Sequence, residues 1–278
     1  NIFIGNGSGK DHKDGYFNIF IGENAGMADT SGFENIYIGY NSGRNCIDGA
    51  GNVFLGSFTG MYTIDGFYNT FIGKTAGYNN IGGISNTFIG YSSGAANTSG
   101  VYNTYLGSMA GIANKTGSHN TIIGRQAARY DTLGDYNTML GARAGFNSEN
   151  GYGNIFIGYR AGYNEMGSDK LYIANSSDDE TEALIYGEFS FPQILRFNGN
   201  VGIDKAPAEK LDVEGKTKTI GFQLTGGASS GYVLESDASG NGTWVNPQYY
   251  WQDNTTYLSP GNNWSVSNSN IQFYGSGK

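Results

Sequence analysis

The sequence predicts an all-β fold in which a parallel β-solenoid (β-roll) of ten 17-residue coils forms the first part of the chain. Asn recurs at every 17th residue from Asn1 to Asn154, and Gly follows four residues after each of them, from Gly5 to Gly158. A fixed period of this length is typical of solenoids, in which each repeat is too small to bury its own apolar face and stacks on its neighbours. Further glycines near the ninth and fifteenth positions break helices, so we expect strands and turns.

Each coil is expected to contain two short strands joined by tight turns. The first strand takes the Asn-x-aromatic-Ile-Gly stretch, residues 1–5 in the first coil, and a small residue at the eighth position, such as Ser8 or Ala161, lies across the coil from it. Successive coils should pair as parallel strands about 4.8 Å apart, which gives ten coils a length of about 50 Å. The Asn column has a structural explanation, because stacked Asn side chains can hydrogen-bond along such a ladder.

Alternation along the strand assigns the residue columns to faces. The Ile or Leu at the fourth position shares a face with the Ile, Val or Thr at the second position, and we predict that this face lies inside the coil. The large apolar third position is then predicted to point outward, as a stripe larger than a soluble monomer usually exposes. We therefore expect a homotrimer in which other copies of the chain cover this stripe. The predicted trimer-interface residues are Phe3, Phe20, Tyr37, Phe54, Phe71, Phe88, Tyr105, Ile122, Met139 and Phe156.

Composition and charge narrow the classes of partner. The net charge is −8 at pH 7 and the sequence shows no basic patch or arm, which argues against nucleic-acid binding. No apolar run is long enough to span a membrane, so no membrane insertion is expected of this fragment. The single Cys46 excludes an internal disulfide framework. Because the chain begins inside the repeat and ends on Gly-Ser-Gly-Lys, we expect a piece of a longer protein.

The residues after the tenth coil are expected to form three further segments. The repeat domain (1–175) is followed by capping or transition strands (176–200), a trimeric β shaft module (201–247) and a further shaft segment (248–278), with Leu171 in the place of the next ladder Asn. These strand signals are too short to close a core within one chain, so we expect three chains to share one core. The predicted strands are Leu184–Tyr186, Ile194–Phe197, Lys210–Val213, Thr219–Leu224, Tyr232–Ser236 and Gly242–Val245.

No constellation of residues indicates catalysis, a metal or a cofactor, and the protein is predicted not to be an enzyme. His12 and His119 occupy different columns and are expected on the surface, while Cys46 lies two coils, about 10 Å, from His12, too far to share a metal. No Asp or Glu pair recurs as a facing column for sugar hydrolysis, and no Gly-x-Ser-x-Gly elbow precedes a helix. The acidic run at residues 178–182 is expected to be a solvated loop, because its spacing fits no calcium loop.

The Asn-x-aromatic-Ile-Gly…Ala-Gly coil resembles the head repeats of trimeric autotransporter adhesins of the YadA type. This resemblance implies a left-handed parallel β-roll that associates as a trimer, although those repeats are shorter and usually carry small residues where this chain has Phe or Tyr. Residues 200–215 and 221–245 look like the shaft modules of phage tail fibres and of long surface proteins of Bacteroidetes. In such proteins the modules often precede a C-terminal self-cleaving chaperone domain, which does not lie within these 278 residues.

Repetition and resemblance together favour a structural fibre or adhesin, a rigid trimeric rod that presents a receptor-binding surface to a cell. It would be a phage or contractile-injection-system tail fibre or a bacterial surface adhesin, and therefore extracellular. Its expected partners are other copies of itself, its parent particle, and a cell-surface glycan or protein receptor. The fixed core would carry a changeable exterior, whose variable residues include Tyr40, Arg44, Lys74, Tyr78, Arg125, Arg129, Arg143, Tyr159, Arg160 and Tyr163.

Two other functions compete with the fibre. Five consecutive Thr in the second column, from Thr70 to Thr138, invite an ice-binding solenoid, but ice binding needs two outward Thr columns and this column is predicted to face inward. A polysaccharide-active β-helix enzyme is the other alternative, and the missing carboxylate pair counts against it.

The candidate receptor contacts are aromatic residues near the end of the chain. Rings stack on the apolar faces of sugars, and nearby polar groups can bond the hydroxyls. Tyr249, Tyr250, Trp251 and Trp264 cluster outside any periodic core pattern. Their alternative role, packing at the axis of a thin trimeric shaft, stays open.

Overall fold

The protein, seen in a computed structural model, is described over residues 1–177, 179–216, 229, 232–239 and 242–245, with strand positions at 252–253 and 256–257. These residues form strands and turns and no helix. Each of the ten coils contributes one three-residue strand to a 13-stranded sheet. The ten strands are β1 (Ile2–Ile4), β2 (Ile19–Ile21), β3 (Ile36–Ile38), β4 (Val53–Leu55), β5 (Thr70–Ile72), β6 (Thr87–Ile89), β7 (Thr104–Leu106), β8 (Thr121–Ile123), β9 (Thr138–Leu140) and β10 (Ile155–Ile157).

Successive coils pair as parallel strands in constant register, which confirms the predicted solenoid ladder. Ile2 pairs with Ile19, and the 17-residue step continues to the pairing of Thr138 with Ile155. Neighbouring aromatic rings at the third position lie 4.7–5.0 Å apart, centroid to centroid, through the first seven coils. This is the spacing of hydrogen-bonded strands. Ten strands at this spacing extend the ladder over about 45 Å.

The two faces of these strands are the reverse of the predicted ones. The third-position side chains are fully buried inside the coils from the second to the tenth, and Phe3 in the first coil is 37% exposed with its ring stacked on Phe20. The second and fourth positions lie outside, where Ile4 is 56% and Leu55 41% exposed. The predicted trimer-interface assignment is therefore wrong, because a side chain enclosed by its own coil cannot contact another chain. The correction covers the nine enclosed residues Phe20, Tyr37, Phe54, Phe71, Phe88, Tyr105, Ile122, Met139 and Phe156, and it extends to Phe3, whose ring faces inward in the same column against Phe20.

Inside each coil a small eighth-position side chain packs against the large third-position one. From the second coil to the tenth the eighth-position residues, such as Ala76 and Ser93, are fully buried, as predicted for that column. Because coils are stacked in register, these pairs merge into one continuous core cluster. The rings stack nearly parallel, with 5° between the planes of Phe71 and Phe88. A thin coil thus buries an aromatic ring only by placing a very small residue against it.

Each coil contains one strand, not the predicted two. The twelve residues that follow the strand and its Gly form turns, then bends and irregular backbone. Residues at the seventh and seventeenth positions, such as Thr75 and Ser85, have φ near +60°. A left-handed residue interrupts the extended backbone that a second strand needs. Pairing on that side is reduced to isolated bridges between Phe33 and Ala50 and between Ala50 and Phe67.

The Asn column is a buried hydrogen-bond ladder, which confirms its predicted structural role. Asn86 N donates to Asn69 Oδ1 (3.0 Å), and Asn86 Nδ2 donates to Gly100 O (2.8 Å). The same bonds recur from coil to coil. Each Asn therefore satisfies a backbone N–H of the next coil and the carbonyl of a turn, groups that would otherwise be buried without partners.

The tenth coil is one residue shorter than the others, so the residue predicted to replace the next ladder Asn is wrong by one position. Lys170 N donates to Asn154 Oδ1 (2.9 Å), and Leu171 pairs with Ile155. Lys170 rather than Leu171 thus takes the place of the ladder Asn. Its Nζ forms an ion pair with Glu188 (2.8 Å).

The sheet continues past the coils through three longer strands. β11 (Lys170–Ile173) is parallel to β10, and β12 (Ile185–Glu188) and β13 (Ile194–Phe197) follow antiparallel. The predicted strands at 184–186 and 194–197 are thereby confirmed as elements at the end of the same sheet. They close one end of the ladder with the buried rings of Tyr172 and Tyr186.

The chain divides into two compact units, Asn1–Glu214 and Gly215–Lys278. The first unit ends with a parallel pair, and the second contains two antiparallel pairs. Predicted strands at 210–213, 232–236 and 242–245 are confirmed, and the one at 219–224 lies outside the described residues. The strands are β14 (Val201–Ile203), β15 (Leu211–Val213), β16 (Val233–Ser236), β17 (Gly242–Val245), β18 (Gln252–Asp253) and β19 (Thr256–Tyr257).

Candidate functional site

The two histidines lie in different environments. His12 was expected on the surface, but its side chain is only 6% exposed and its Nδ1 lies 2.7 Å from Asp29 Oδ1 inside the coil. The twelfth position that it shares with Asp29 points inward, and this decides its burial. His119 is exposed as predicted, stacked between Tyr102 and Tyr136 at centroid distances of 5.1 and 4.9 Å.

The twelfth position forms an interior column of polar side chains. Burial raises the pKa of the Cys46 thiol to about 12, although its Sγ accepts a hydrogen bond from Tyr37 (3.1 Å). Burial likewise raises the pKa of Asp131 to about 6, although the hydrogen bond that its Oδ1 accepts from Gly134 N (2.8 Å) acts to lower the pKa. One carboxylate oxygen of Asp131 has no hydrogen-bond partner. These groups are enclosed by their own coils, so they cannot contact a substrate and Cys46 is not a thiolate at neutral pH.

Within the described ranges, no group of three His, Cys, Asp or Glu side chains could hold a metal ion. The part of the acidic run that the structure describes is locally bonded: Asp179 accepts hydrogen bonds from the backbone and hydroxyl of Thr181. These bonds lower the pKa of Asp179. The carboxylate is thus engaged by its own turn.

One surface feature runs along all ten coils. We call it the outer sheet face and define it as their second- and fourth-position side chains. Its fourth column is Ile or Leu throughout, and its second column is Ile or Val in the first four coils and Thr in the next five. Neighbours along the ladder half-bury most of these side chains, and Ile2, Thr104 and Leu106 are exposed. The Thr column from Thr70 to Thr138 therefore faces outward, which overturns the expectation that it lies inside.

Tyrosines border the outer sheet face. Sixth-position side chains follow the strand and its Gly directly, and Tyr40, Tyr91 and Tyr159 among them are 44–49% exposed. Tyr40 and Tyr159 were predicted to belong to the variable exterior, and they do. An aliphatic strip edged by amphipathic rings is the composition that protein interfaces favour.

A second surface feature is a groove of about 520 Å³ on another flank of coils two to five. The thirteenth-position side chains Ile47, Ile64 and Ile81 form its floor, with Tyr62 and Asn79 beside them. Because its lining is mostly aliphatic, it offers few groups that could orient a polar ligand.

The candidate receptor contacts Tyr249, Tyr250, Trp251 and Trp264 lie outside the described residues. Their role as receptor contacts or as shaft core stays a prediction.

Comparison with known proteins gave no match to a protein-family model, to a curated protein or to a solved structure. Among the described residues, no helix is long and apolar enough to cross a membrane.

Proposed function

We propose that this chain is an extracellular attachment fibre whose β-solenoid associates as a homotrimer through the outer sheet face. The fibre belongs to a phage tail, a contractile injection system or a bacterial surface, and its exterior meets a cell-surface glycan or protein receptor. The proposal keeps the trimer expected from the sequence but moves its interface from the third-position side chains to the second- and fourth-position side chains.

The observation that carries the proposal is the continuity of the outer sheet face over all ten coils. A strip about 45 Å long and one strand wide, with its tyrosine borders, is of the order of the ~800 Å² that each partner buries in a stable interface. The aliphatic side chains of this strip repeat at the spacing between coils, and those on another copy of the chain repeat at the same spacing. Two such strips can therefore interdigitate along their whole length, which few other partners could do.

The segments after the coils support an assembly as well. β14–β15 and β16–β17 are isolated two-stranded pairs, with Leu211 64% and Leu234 45% exposed. A two-stranded sheet is marginal in water by itself, so these pairs need a further apolar surface to pack against. Equivalent strands from other copies would supply it, as the resemblance to fibre shaft modules implies.

Light scattering coupled to size exclusion tests the assembly on the full 278-residue chain. We expect a trimer, and we expect Ile72→Lys/Ile89→Lys, on the outer sheet face, to give a smaller species with an unchanged β-sheet circular dichroism spectrum. Thr98→Lys/Lys115→Ala, on another flank, is the control and should remain trimeric. A folded, monodisperse wild-type monomer would refute the proposed assembly.

An ice-binding solenoid is the second candidate, because the Thr column proves to face outward in coils five to nine. Outward methyl and hydroxyl groups at a constant spacing can order water, but the neighbouring outward column is Ile or Leu, which has no hydroxyl. Thermal hysteresis and ice-recrystallisation assays separate the two functions. Activity that is lost in Thr87→Lys and retained in Ile89→Ala would establish ice binding in place of the fibre.

A further inference from the structure

Coils eight to ten carry a cluster of arginines on the flank that follows the outer sheet face. Four of the six arginines of the chain, Arg125, Arg129, Arg143 and Arg160, occupy the sixth, seventh and tenth positions of these three coils. We call this surface the arginine flank. The net-charge argument predicted no basic patch, and it was wrong for this region because the coil period gathers residues that lie far apart in sequence.

The arginine flank is built around stacked aromatic rings. Arg129 and Arg143 lie over the same Phe146 ring, with guanidinium carbons 6.0 and 5.6 Å from its centroid. Phe146 stacks on Tyr163 at 4.9 Å, and the Arg160 guanidinium lies 5.2 Å from the Tyr163 centroid. Rings of this kind hold guanidinium groups in place through cation–π attraction and flat stacking.

None of these four cations forms a salt bridge; among the described residues the ion pairs are His12–Asp29, Lys170–Glu188 and Lys205–Asp212. The sixth to eleventh positions of coils eight to ten contain no Asp or Glu. The polar contacts that the guanidinium groups do make are neutral: Arg143 Nε donates to Gln126 Oε1 (3.1 Å), and Arg129 Nη1 lies 3.0 Å from Met109 Sδ. The buried Nε of Arg160 has no acceptor.

The ladder places like charges close together. Arg143 and Arg160 hold the same seventh position in adjacent coils, and backbone bonds connect those turns, from Arg160 N to Ala142 O (3.0 Å). Their Cα atoms are thus about 5 Å apart. Like charges on side chains of neighbouring rungs repel, and the sixth to eleventh positions of these coils supply no acidic side chain to relieve the repulsion. A bound oxyanion would do so, and a guanidinium fork bonds carboxylate, sulfate or phosphate oxygens in pairs.

We infer that the arginine flank binds an acidic polysaccharide, through the oxyanions that its sugars carry. Tyr130 is 46% exposed at the flank and can stack on the apolar face of a sugar ring. Three coils span about 15 Å, which is room for a few sugar units. This inference deepens the proposed function, because it names the receptor class, but the site lies in one chain and does not require the trimer.

Binding of soluble polysaccharides to the full chain tests the inference. Alginate supplies carboxylates, heparin supplies mainly sulfates, and neutral dextran is the ligand control, each measured at low and at physiological ionic strength. We expect alginate or heparin to bind and dextran not to bind. Which of the two binds more tightly identifies the oxyanion.

Two variants with equal charge loss decide whether the flank itself binds. Arg129→Gln/Arg143→Gln/Arg160→Gln should weaken binding at least about tenfold, the effect of about 1.4 kcal/mol. Lys10→Gln/Lys74→Gln/Lys115→Gln removes the same charge from exposed positions on other coils and should bind like the wild type. Arg160→Gln alone serves if the triple arginine variant does not fold. Arg→Lys at the three positions keeps the charge and should restore only part of the affinity.

Three results would overturn the inference: no binding of either acidic polysaccharide, equal weakening in both triple variants, or tighter binding of single-stranded DNA than of the polysaccharides. Light scattering on the same samples keeps this test apart from the test of the fibre. If a monomer binds the probes, the inference about the arginine flank is supported and the proposed trimer is refuted. If a trimer binds none of the probes, the proposed trimer is supported and the inference about the arginine flank is refuted.

Discussion

At the scale of single residues, the third-position side chain can lie inside the coil because the ninth position, which it contacts, is almost always Gly. A Cβ built on Gly94, whose φ is +57°, would lie 2.5 Å from ring atoms of Phe88. The ninth position is Gly in every coil except the eighth, where it is Ala128, and there the third position is Ile122 instead of a ring or Met. The smaller core residue leaves the room that Ala needs. The two positions therefore vary together because they touch.

This contact predicts a measurable coupling. Gly94→Ala should destabilise the protein by about 3 kcal/mol, from left-handed strain plus the ring clash. Phe88→Ile should cost about 2 kcal/mol on its own. The double variant reproduces the pair found in coil eight. Its loss in free energy of unfolding should be smaller than the sum of the two single losses by about 1–2 kcal/mol. Denaturant unfolding measures all three, and the control Ala128→Gly should not destabilise the protein, because it relieves left-handed strain at φ +48°. Strict additivity would contradict the proposed contact.

The raised pKa of Asp131 predicts a pH-dependent stability. The ordinary pKa is 3.8 and burial raises it to about 6. Between these values the folded state binds more protons than the unfolded state, so stability falls as the pH rises through this window and stays low above it. A difference of about two in pKa corresponds to roughly 3 kcal/mol at neutral pH.

Asp131→Asn removes that penalty and continues the Asn found at this column in coils five to seven. It should raise the melting temperature at pH 8 and leave it nearly unchanged at pH 3.5, because both forms are then uncharged. The amide oxygen can still accept the Gly134 N–H. Glu149→Gln, at an exposed position of the next coil, is the control and should have little effect at either pH. A destabilised Asp131→Asn at pH 8 would show that the carboxylate is needed.

At the scale of the coil, the sequence was sufficient for the ladder and insufficient for its faces. The 17-residue step fixed parallel pairing, and the Asn column was correctly assigned to structure. A three-residue strand with apolar side chains on both sides, such as Ile19–Phe20–Ile21, satisfies alternation equally well in either orientation. The joint change at Ile122 and Ala128 was the available signal, because it places the third position against the ninth.

The second missing element was the turn side of the coil. Left-handed residues at the seventh and seventeenth positions include Arg143, Tyr102 and Glu34, residue types that carry no turn preference. Their conformation follows from stacking on the coils above and below, which over-determines it. The same stacking forms the arginine flank. The sequence marks these arginines as variable exterior positions, and only the stacked coils bring them into one cluster.

The fifth-position glycines are predicted to be indispensable to the ladder. Gly90 has φ +133°, and a Cβ there would lie 2.5 Å from the backbone oxygen of Gly107 in the next coil. Gly90→Ala should therefore cost about 3 kcal/mol or more, since backbone cannot move aside. Gly82→Ala is the matched control in the preceding coil, because a Cβ at Gly82 meets no atom within 4 Å. Equal melting temperatures for the two variants would show that the ladder tolerates the side chain.

At the scale of the whole molecule, the described coils behave as a one-dimensional array in which each coil contacts its two neighbours. The 17-residue step keeps each residue column aligned from coil to coil, in the Asn ladder as in the outer sheet face, and this alignment does not require a particular number of coils. The exterior can change at a few positions without disturbing the interior. Coils eight to ten acquire a cationic flank in this way, whereas coils one to seven together carry five Lys or Arg and seven Asp or Glu.

The array predicts that whole coils, but not parts of coils, can be removed. Deletion of residues 70–86 removes one full period, so Asn69 is followed by Thr87 and all columns stay in register. This variant should fold cooperatively with a slightly lower melting temperature, because it loses one interface between neighbours. Deletion of residues 70–77 removes only β5 and its turn, leaving nine residues, too few to close a coil. It should interrupt the sheet and lower stability far more, although it removes fewer residues. Circular dichroism and thermal unfolding compare the two, and a half-coil deletion as stable as the whole-coil deletion would show that the 17-residue coil is not the structural unit.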